Sequence, residues 1–139
     1  MKDFELSLPL CHKMAEEADK IQKEMGVWVS IALADRYGNL LYFYRFGDAI
    51  IPSVDIAQKK AYTSAVLRQT TKEFGKLAQP GGEAFGINTT HQKLVIFGGG
   101  VPIIINGKTL GGIGVSGASA EEDEVIAKRM LEILLSTIG

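Results

Sequence analysis

Few side chains in this sequence could hold a metal ion or an iron cofactor. The chain contains two histidines, His12 and His91, and one cysteine, Cys11. No two of these residues have the spacing of zinc ligands on a helix, so we expect no structural zinc site. A single histidine can still be an axial ligand of an iron cofactor.

The two histidines differ in their predicted surroundings. His12 lies about 200° from Leu10 around a predicted helix, away from the apolar stripe of that helix. It is either a solvated histidine beside Glu16 or an axial ligand to an iron cofactor held between subunits. His91 ends a long loop just before a predicted strand. That position suits either an ordinary polar loop residue or the rim of a pocket.

A polar stripe on a second predicted helix offers further groups for a ligand. Asp55, Lys59 and Thr63 recur at every fourth position, so they share one face of that helix. The stripe is either an ordinary ion pair or one wall of a ligand pocket lined by Lys59 and Thr63. In the second interpretation, the cations available to pair with ligand carboxylates are Lys60, Arg45 and Arg68.

Two glycine-rich stretches have alternative interpretations. Residues 112–117 spell GIGVSG, which matches the fingerprint of dinucleotide sites. That fingerprint requires a β-α-β unit, whereas no strand is predicted after it, and the acidic start of the next helix would repel a pyrophosphate. We therefore expect no NAD site. Gly99 and Gly100 either let the backbone approach a flat ligand closely or simply permit a bulge or tight bend.

These groups must be positioned by a chain that mixes helices and strands. The apolar stripe from Leu10 to Met25 predicts a first helix, which Gly26 ends. The capping residues Ser53 and Thr70 predict the starts of two more helices. The remaining predicted elements are strands at residues 27–34, 40–46, 94–97, 101–105 and 108–115, and a helix at residues 119–138. This order predicts an α/β (α+β) domain with a five-stranded, mainly antiparallel sheet covered by helices.

Composition and charge narrow the classes of partner. The 15 basic and 16 acidic residues nearly cancel, and no basic run marks a nucleic-acid or anionic-membrane surface. No apolar run approaches the length of a membrane span, and the N-terminus lacks the apolar stretch of a signal peptide. We expect a cytoplasmic protein that binds neither nucleic acid nor membranes, and the single cysteine fits a reducing compartment.

Several stretches taken together resemble the HbpS/GlcG family, which includes the C-terminal domain of PduO-type corrinoid adenosyltransferases. They are VDIAQKKAYTS at residues 54–64, QPGG at 79–82, GGGVPI at 98–103, GIGVSG at 112–117 and EEDEVIA at 121–127. The match covers nearly the whole chain, so we expect residues 1–139 to form a single HbpS/GlcG-like domain.

This resemblance implies a profilin-like, three-layer α/β/α sandwich that forms homo-oligomers, commonly octamers. It also implies haem binding near subunit interfaces, with peroxide-dependent haem degradation in some members and variable iron ligands. We therefore predict a haem- or tetrapyrrole-binding homo-oligomer, with haem degradation or an accessory role in corrinoid-dependent diol or glycolate metabolism. The alternative is a non-catalytic structural or oligomerisation module, or a small-molecule sensor. The candidate cofactor-binding residues are His12, His91, Lys59, Thr63, Arg45, Gly99 and Gly100, with the two histidines as candidate iron ligands.

Overall fold

Five helices and four strands lie within residues 5–138, the part of the chain that the computed structural model describes. Residues 1–4 and Gly139 of the predicted domain, and with them most of the N-terminal stretch considered above, lie outside the described residues. The elements are α1 (Leu8–Met25), β1 (Ser30–Asp35), β2 (Leu40–Arg45), α2 (Pro52–Leu67), α3 (Thr71–Leu77), α4 (Ile87–Thr90), β3 (Gly100–Ile105), β4 (Lys108–Ser116) and α5 (Ala120–Ile138).

The strands form one sheet in the order β2-β1-β4-β3, and every neighbouring pair is antiparallel. The mixed α/β class with an antiparallel sheet is confirmed, but the sheet has four strands and the prediction of five is wrong. The missing strand is residues 94–97. There the Val95 N–H donates to Thr63 Oγ1 (3.0 Å), and the Thr63 hydroxyl is 2.9 Å from the Lys93 carbonyl oxygen. Because the Thr63 side chain of α2 makes these hydrogen bonds with the backbone, the segment does not pair with a strand.

Helices cover both faces of the sheet, which gives three layers. Side chains of a strand point to alternate faces. In β1, Ile31 and Leu33 belong to the main hydrophobic core, whereas Ala32 and Ala34 pack against α2. The main core lies between the sheet and the pair α1 and α5, whose fully buried members include Met14, Ala18, Ile126 and Met130.

The ends of the helices follow local chemistry. In α1, Ser7 caps the N-terminus, and Gly26 ends the helix in the left-handed conformation (φ +71°), as predicted. In α2, the prediction of Ser53 as the cap is wrong, because the helix begins at Pro52, whose fixed φ suits a first turn. The Ser53 hydroxyl is instead buried against the Ser30 hydroxyl, at 2.8 Å.

Helix α2 packs directly on the backbone of β4. Gly112 and Gly114 face this helix, and a methyl group added at Gly114 would collide with the carbonyl of Ala57. One added at Gly112 would collide with the carbonyl of Ala61. Two of the three glycines of the GIGVSG stretch, Gly112 and Gly114, therefore form the surface on which α2 packs.

We expect the substitution Gly114→Ala to destabilise the domain by about 3 kcal/mol or more, since the helix must move away from the strand to admit the methyl group. Urea unfolding measures this loss. Gly107→Ala is the matched control, because Gly107 has a positive φ (+76°) but no neighbour within 4 Å. Its cost is the backbone strain of about 1–2 kcal/mol. Equal stability of the two variants would contradict the close packing of α2 on β4.

Candidate functional site

An aromatic groove lies between α1, β2 and the segment that precedes β1. Its volume is about 540 Å³, which lies within the roughly 300–1,000 Å³ of small-molecule sites. The lining residues are the aromatic residues Trp28, Tyr42, Tyr44 and Phe46, together with His12, Ala15, Glu16, Asp19, Lys23 and Gly47. Trp28 is 47% exposed and Tyr44 is 52% exposed, so the groove is open to solvent along its rim.

His12 is presented to this groove by the exposed side of α1, whose opposite side buries Cys11 and Met14 in the core. The His12 Nδ1 lies 3.1 Å from the Tyr42 hydroxyl, and the two rings meet edge to face at 85°. Among residues 5–138 the His12 ring has no other hydrogen-bond partner. When Nδ1 donates to the Tyr42 oxygen, Nε2 carries a lone pair and can bind a metal.

The Tyr42 side chain remains a neutral phenol at neutral pH. Burial raises the pKa of its hydroxyl, and nearby Cys11, Tyr44 and Glu16 raise the pKa further. A protonated hydroxyl can either donate to His12 or accept from it. Tyr42 therefore orients the His12 ring without adding a negative charge to the groove.

The charged groups of the aromatic groove are mainly acidic. Asp19 and Glu16 supply two carboxylates and Lys23 supplies one ammonium, which leaves one net negative charge when His12 is neutral. The Lys23 ammonium is already paired with Asp19 at 3.0 Å. The groove of a single chain thus offers an aromatic wall and an imidazole but no free cation for a ligand carboxylate.

A second groove, which we call the lysine groove, lies on the opposite face of the sheet, beside α2. It has a volume of about 270 Å³ and is lined by Ala34, Gly38, Asn39, Leu40, Asp55, Gln58, Lys59, Tyr62 and Lys93. The Lys59 ammonium is 2.9 Å from the Asp55 carboxylate. The predicted ion pair of the polar stripe is therefore present, and the same lysine also faces a groove.

His91 lies beside the lysine groove and not the aromatic one. Its Nε2 is 3.4 Å from the Tyr62 hydroxyl, and its Nδ1 accepts a hydrogen bond from the Lys93 N–H (3.3 Å). Since α1 and α2 cover opposite faces of the sheet, His12 and His91 of one chain cannot bind the same iron. The structure does not bring the two predicted iron ligands together.

Most of the other candidate residues have structural partners. Thr63 is buried and holds residues 93–95 against α2. The Arg45 guanidinium donates to the Ala49 carbonyl from Nε (3.0 Å) and from Nη2 (2.7 Å). Gly99 and Gly100 are buried and line neither groove. A side chain at Gly100 would collide with Thr71, so this backbone position is closed rather than open to a flat ligand.

Lys60, which the sequence offered as a partner for a ligand carboxylate, is completely buried. Its ammonium donates to the Val115 carbonyl (2.8 Å) and to the Asp123 carboxylate (3.1 Å). Burial lowers the pKa of Lys60 and raises the pKa of Asp123, while the attraction between the two groups opposes both shifts. Asp123 also accepts from the Ala118 N–H (3.0 Å). Lys60 therefore links α2, β4 and α5 and is not available to a ligand.

Some functional features have only a weak signal in the sequence. Trp28 and Phe46 fall within the stretches predicted as strands, at residues 27–34 and 40–46, but they lie just outside β1 and β2 in the structure, and no pattern in those stretches indicates a groove. Tyr42 and Tyr44 alternate along a strand, and that alternation predicts a shared face without identifying what the face contacts. The partner of Lys60, Asp123, is hidden in an acidic run that reads as a helix start.

Two negative findings apply to residues 5–138. Within this part of the chain, no group of three or more His, Cys, Asp or Glu side chains is arranged to hold a metal ion. None of the helices described there is long and apolar enough to cross a membrane.

Comparison with known proteins finds relatives over nearly the whole chain. The family model of the haem degrading protein HbpS-like matches residues 6–132. A 15.0 kDa protein from the dhaT-dhaS intergenic region of Citrobacter freundii is 41% identical over 128 residues, which are 91% of this chain and 90% of that protein. The corrinoid adenosyltransferase PduO of Citrobacter freundii is 36% identical over 124 residues, which are 88% of this chain but 37% of PduO.

Two solved structures share the fold closely. The Klebsiella pneumoniae protein ORFY has a TM-score of 0.92 and 33% identity, and the alignment covers 98% of this chain and 95% of ORFY. The PduOC:Heme complex has a TM-score of 0.89 and 31% identity, covering 93% of this chain and 94% of the PduOC chain.

We expect Lys60→Met to destabilise the domain by about 3–5 kcal/mol, because the Asp123 carboxylate would remain buried without its cation. The free energy of unfolding in urea measures the effect. Lys59→Met is the matched control, since it removes the neighbouring lysine from a pair in which Asp55 is 68% exposed. That change is expected to cost at most about 1 kcal/mol. Similar losses in the two variants would contradict the structural role of Lys60.

Proposed function

The chain belongs to the HbpS-like family, and on that premise we propose that it binds haem or a related tetrapyrrole in the aromatic groove. The observation that carries the proposal is the His12 imidazole, whose Nδ1 is 3.1 Å from the Tyr42 hydroxyl. Metal-bound histidines commonly use their second ring nitrogen in such a hydrogen bond, which sets the tautomer and the ring orientation. We assign His12 as the residue that would hold the haem iron through Nε2, and Tyr42 as the residue that would position its ring.

The shape and composition of the groove suit a flat, mostly apolar ligand. Trp28, Tyr42, Tyr44 and Phe46 supply ring surface on one side, and Gly47 leaves the backbone close to that wall. Half-exposed aromatic rings that lie together on a surface are typical of binding sites. The haem complex of the structural relative PduOC supports the same ligand class.

The charge of the groove indicates that one chain supplies only part of the site. Glu16 and Asp19 would repel the propionates of a haem, and Lys23 is occupied by Asp19. The propionates of a haem would therefore need cations that this lining does not supply, and a second copy of the chain would supply them. This is the physical reason for which we propose a homo-oligomer with haem sites at its interfaces.

Haem degradation is the finer part of the proposal and is suggested by the family description. When bound, the haem supplies the iron that reacts with peroxide. The chain's own contribution is to hold the imidazole at His12 and to leave the rim beside Trp28 and Tyr44 accessible to a small oxidant. A cytoplasmic location and an accessory role in corrinoid-dependent diol or glycolate metabolism stay predictions, the latter supported by PduO among the relatives.

A haemin titration followed at the Soret band tests the ligand and its residues. We expect saturable binding by the wild type and about tenfold weaker binding by Tyr42→Phe, which loses the hydrogen bond that orients His12. His12→Ala is expected to lose more affinity and to lack the spectrum of an imidazole-ligated iron. Peroxide is then added to the haemin-loaded wild type and to haemin-loaded His12→Ala, with free haemin as the reference. We expect the Soret band to bleach more slowly in His12→Ala than in the wild type.

His91→Ala is the matched control in this titration, because His91 lies on the other face of the sheet. It should bind haemin as the wild type does. Absence of saturable binding by the wild type would overturn the haem proposal and favour the alternative of a non-catalytic module or sensor. Loss of binding in His91→Ala but not in His12→Ala would contradict the proposed site, because it would assign haem binding to the lysine groove and not to the aromatic groove.

Light scattering after size-exclusion chromatography tests the oligomer. We expect the wild type to have a mass that is a multiple of the 15.0 kDa chain, and Tyr44→Glu to lower that mass by placing a charge among the exposed groove aromatics. Tyr37→Glu is the control, since Tyr37 is also exposed (66%) but lies outside the aromatic groove. A wild type that elutes with the mass of one chain would contradict the proposal.

A further inference from the structure

We propose that the lysine groove is a second ligand site, independent of the haem proposal, and that it takes a small organic monocarboxylate. The groove lies on the α2 face of the sheet, whereas His12 lies on the α1 face. Its recognition groups would be the ammonium groups of Lys59 and Lys93. The case rests on an available cation, on the way its backbone is held, and on the charge and size of the groove.

Lys93 supplies the available cation. Within residues 5–138, no carboxylate lies within 4.0 Å of its ammonium, in contrast to Lys59, which pairs with Asp55. The Lys93 ammonium instead lies 5.1 Å from the centre of the Tyr62 ring. A cation over an aromatic face keeps its hydrogen-bond donors free for a further partner. Lys93 can therefore donate to a carboxylate at the surface of Tyr62.

The backbone at Lys93 is held in place by two side chains. The buried Thr63 hydroxyl contacts the Lys93 carbonyl oxygen at 2.9 Å and accepts from the Val95 N–H at 3.0 Å. On the other side, the Lys93 N–H donates to His91 Nδ1 (3.3 Å), and His91 Nε2 lies 3.4 Å from the Tyr62 hydroxyl. Thr63 and His91 thus act as positioning residues, which reduce the cost of ordering the site when a ligand binds.

The charge of the groove matches a monoanion. Lys59 and Lys93 contribute two positive charges and Asp55 one negative charge, which leaves one net positive charge. An inorganic phosphate dianion would be only half neutralised by this lining. The net charge therefore favours a single carboxylate.

The size and remaining surface of the groove match a short carbon chain. A volume of about 270 Å³ is just below the roughly 300 Å³ at which drug-sized sites begin. Leu40, Ala34 and the Tyr62 ring provide apolar surface beside the two cations. The Gln58 amide donates one N–H to the Val54 carbonyl (3.0 Å) and has a second to offer.

Titration of the ¹⁵N-labelled full chain with acetate, without haem and against chloride at equal ionic strength, tests this site. We expect saturable shifts of the backbone amides of Asn39, Lys59 and Lys93, with a Kd on the order of 1 mM. Lys93→Gln should weaken binding roughly tenfold, because it removes a charge-assisted hydrogen bond. Lys20→Gln, which changes the same charge at an exposed position of α1, should leave the Kd unchanged.

Three results would overturn the proposal. The first is the absence of saturable shifts beyond those that chloride causes. The second is equal binding by the wild type and Lys93→Gln. The third is tighter binding of inorganic phosphate than of acetate at the same amides, which would assign the groove to a dianion. Because the titration contains no haem, its outcome is separate from that of the haem titration.

Discussion

Helix α2 lies flush on the backbone of β4, and the rest of the domain is arranged around this contact. Gly112 and Gly114 present no side chains to the helix, and Ala57 and Ala61 face them with the smallest side chain available. No large apolar residue fits between layers that are this close. The main hydrophobic core therefore forms on the other face, between the sheet and the pair α1 and α5. The two faces of the sheet differ in chemistry because the helices that cover them lie at different distances from the sheet.

The buried ion pair follows from the same contact. Because α2 is so close to the sheet, the side chain of Lys60 has no route to solvent, and its ammonium must find acceptors inside the protein. It finds them at Val115, near the end of β4, and at Asp123, in the first turn of α5. A buried pair of this kind contributes little net stability, yet it disfavours any arrangement that separates its partners. The pair thus sets the position of α5 relative to α2 across the end of the sheet.

The parts of the fold that depend on local chemistry could be predicted from the sequence. The stripe and glycine end of α1 and the capping residue Thr70 are confirmed, since each depends on residues within one or two turns. The prediction of a fifth strand is wrong because the Val95 N–H donates to the side chain of Thr63, which is 32 residues away in the sequence. Lys60 and Asp123 are 63 residues apart. Neither separation leaves a periodic signal in the sequence.

For the candidate site as well, the sequence predicts local properties of single elements but not the contacts between elements. The position of His12 outside the apolar stripe is a local property of α1, and the sequence located it. Its hydrogen bond to Tyr42 spans 30 residues and requires the helix to cross a particular strand, which no pattern within either element specifies. The separation of His12 from His91 likewise follows only from the assignment of α1 and α2 to opposite faces.

The hairpin of β1 and β2 connects the two grooves through a β-bulge: Leu33 pairs with Tyr42, but the next residue, Ala34, pairs with Leu40, so the extra residue in β2 moves Leu40 to the other face. Tyr42 and Tyr44 of β2 point to the face of α1 and line the aromatic groove, whereas Leu40 and the preceding Asn39 line the lysine groove. The charged residues that line the two grooves sum to opposite net charges, one negative and one positive, which favours different ligands in each groove. A ligand with carboxylates is disfavoured inside the aromatic groove unless those carboxylates reach beyond it, while a small carboxylate is favoured in the lysine groove. One hairpin therefore lines both proposed sites, the haem site on one face of the sheet and the carboxylate site on the other.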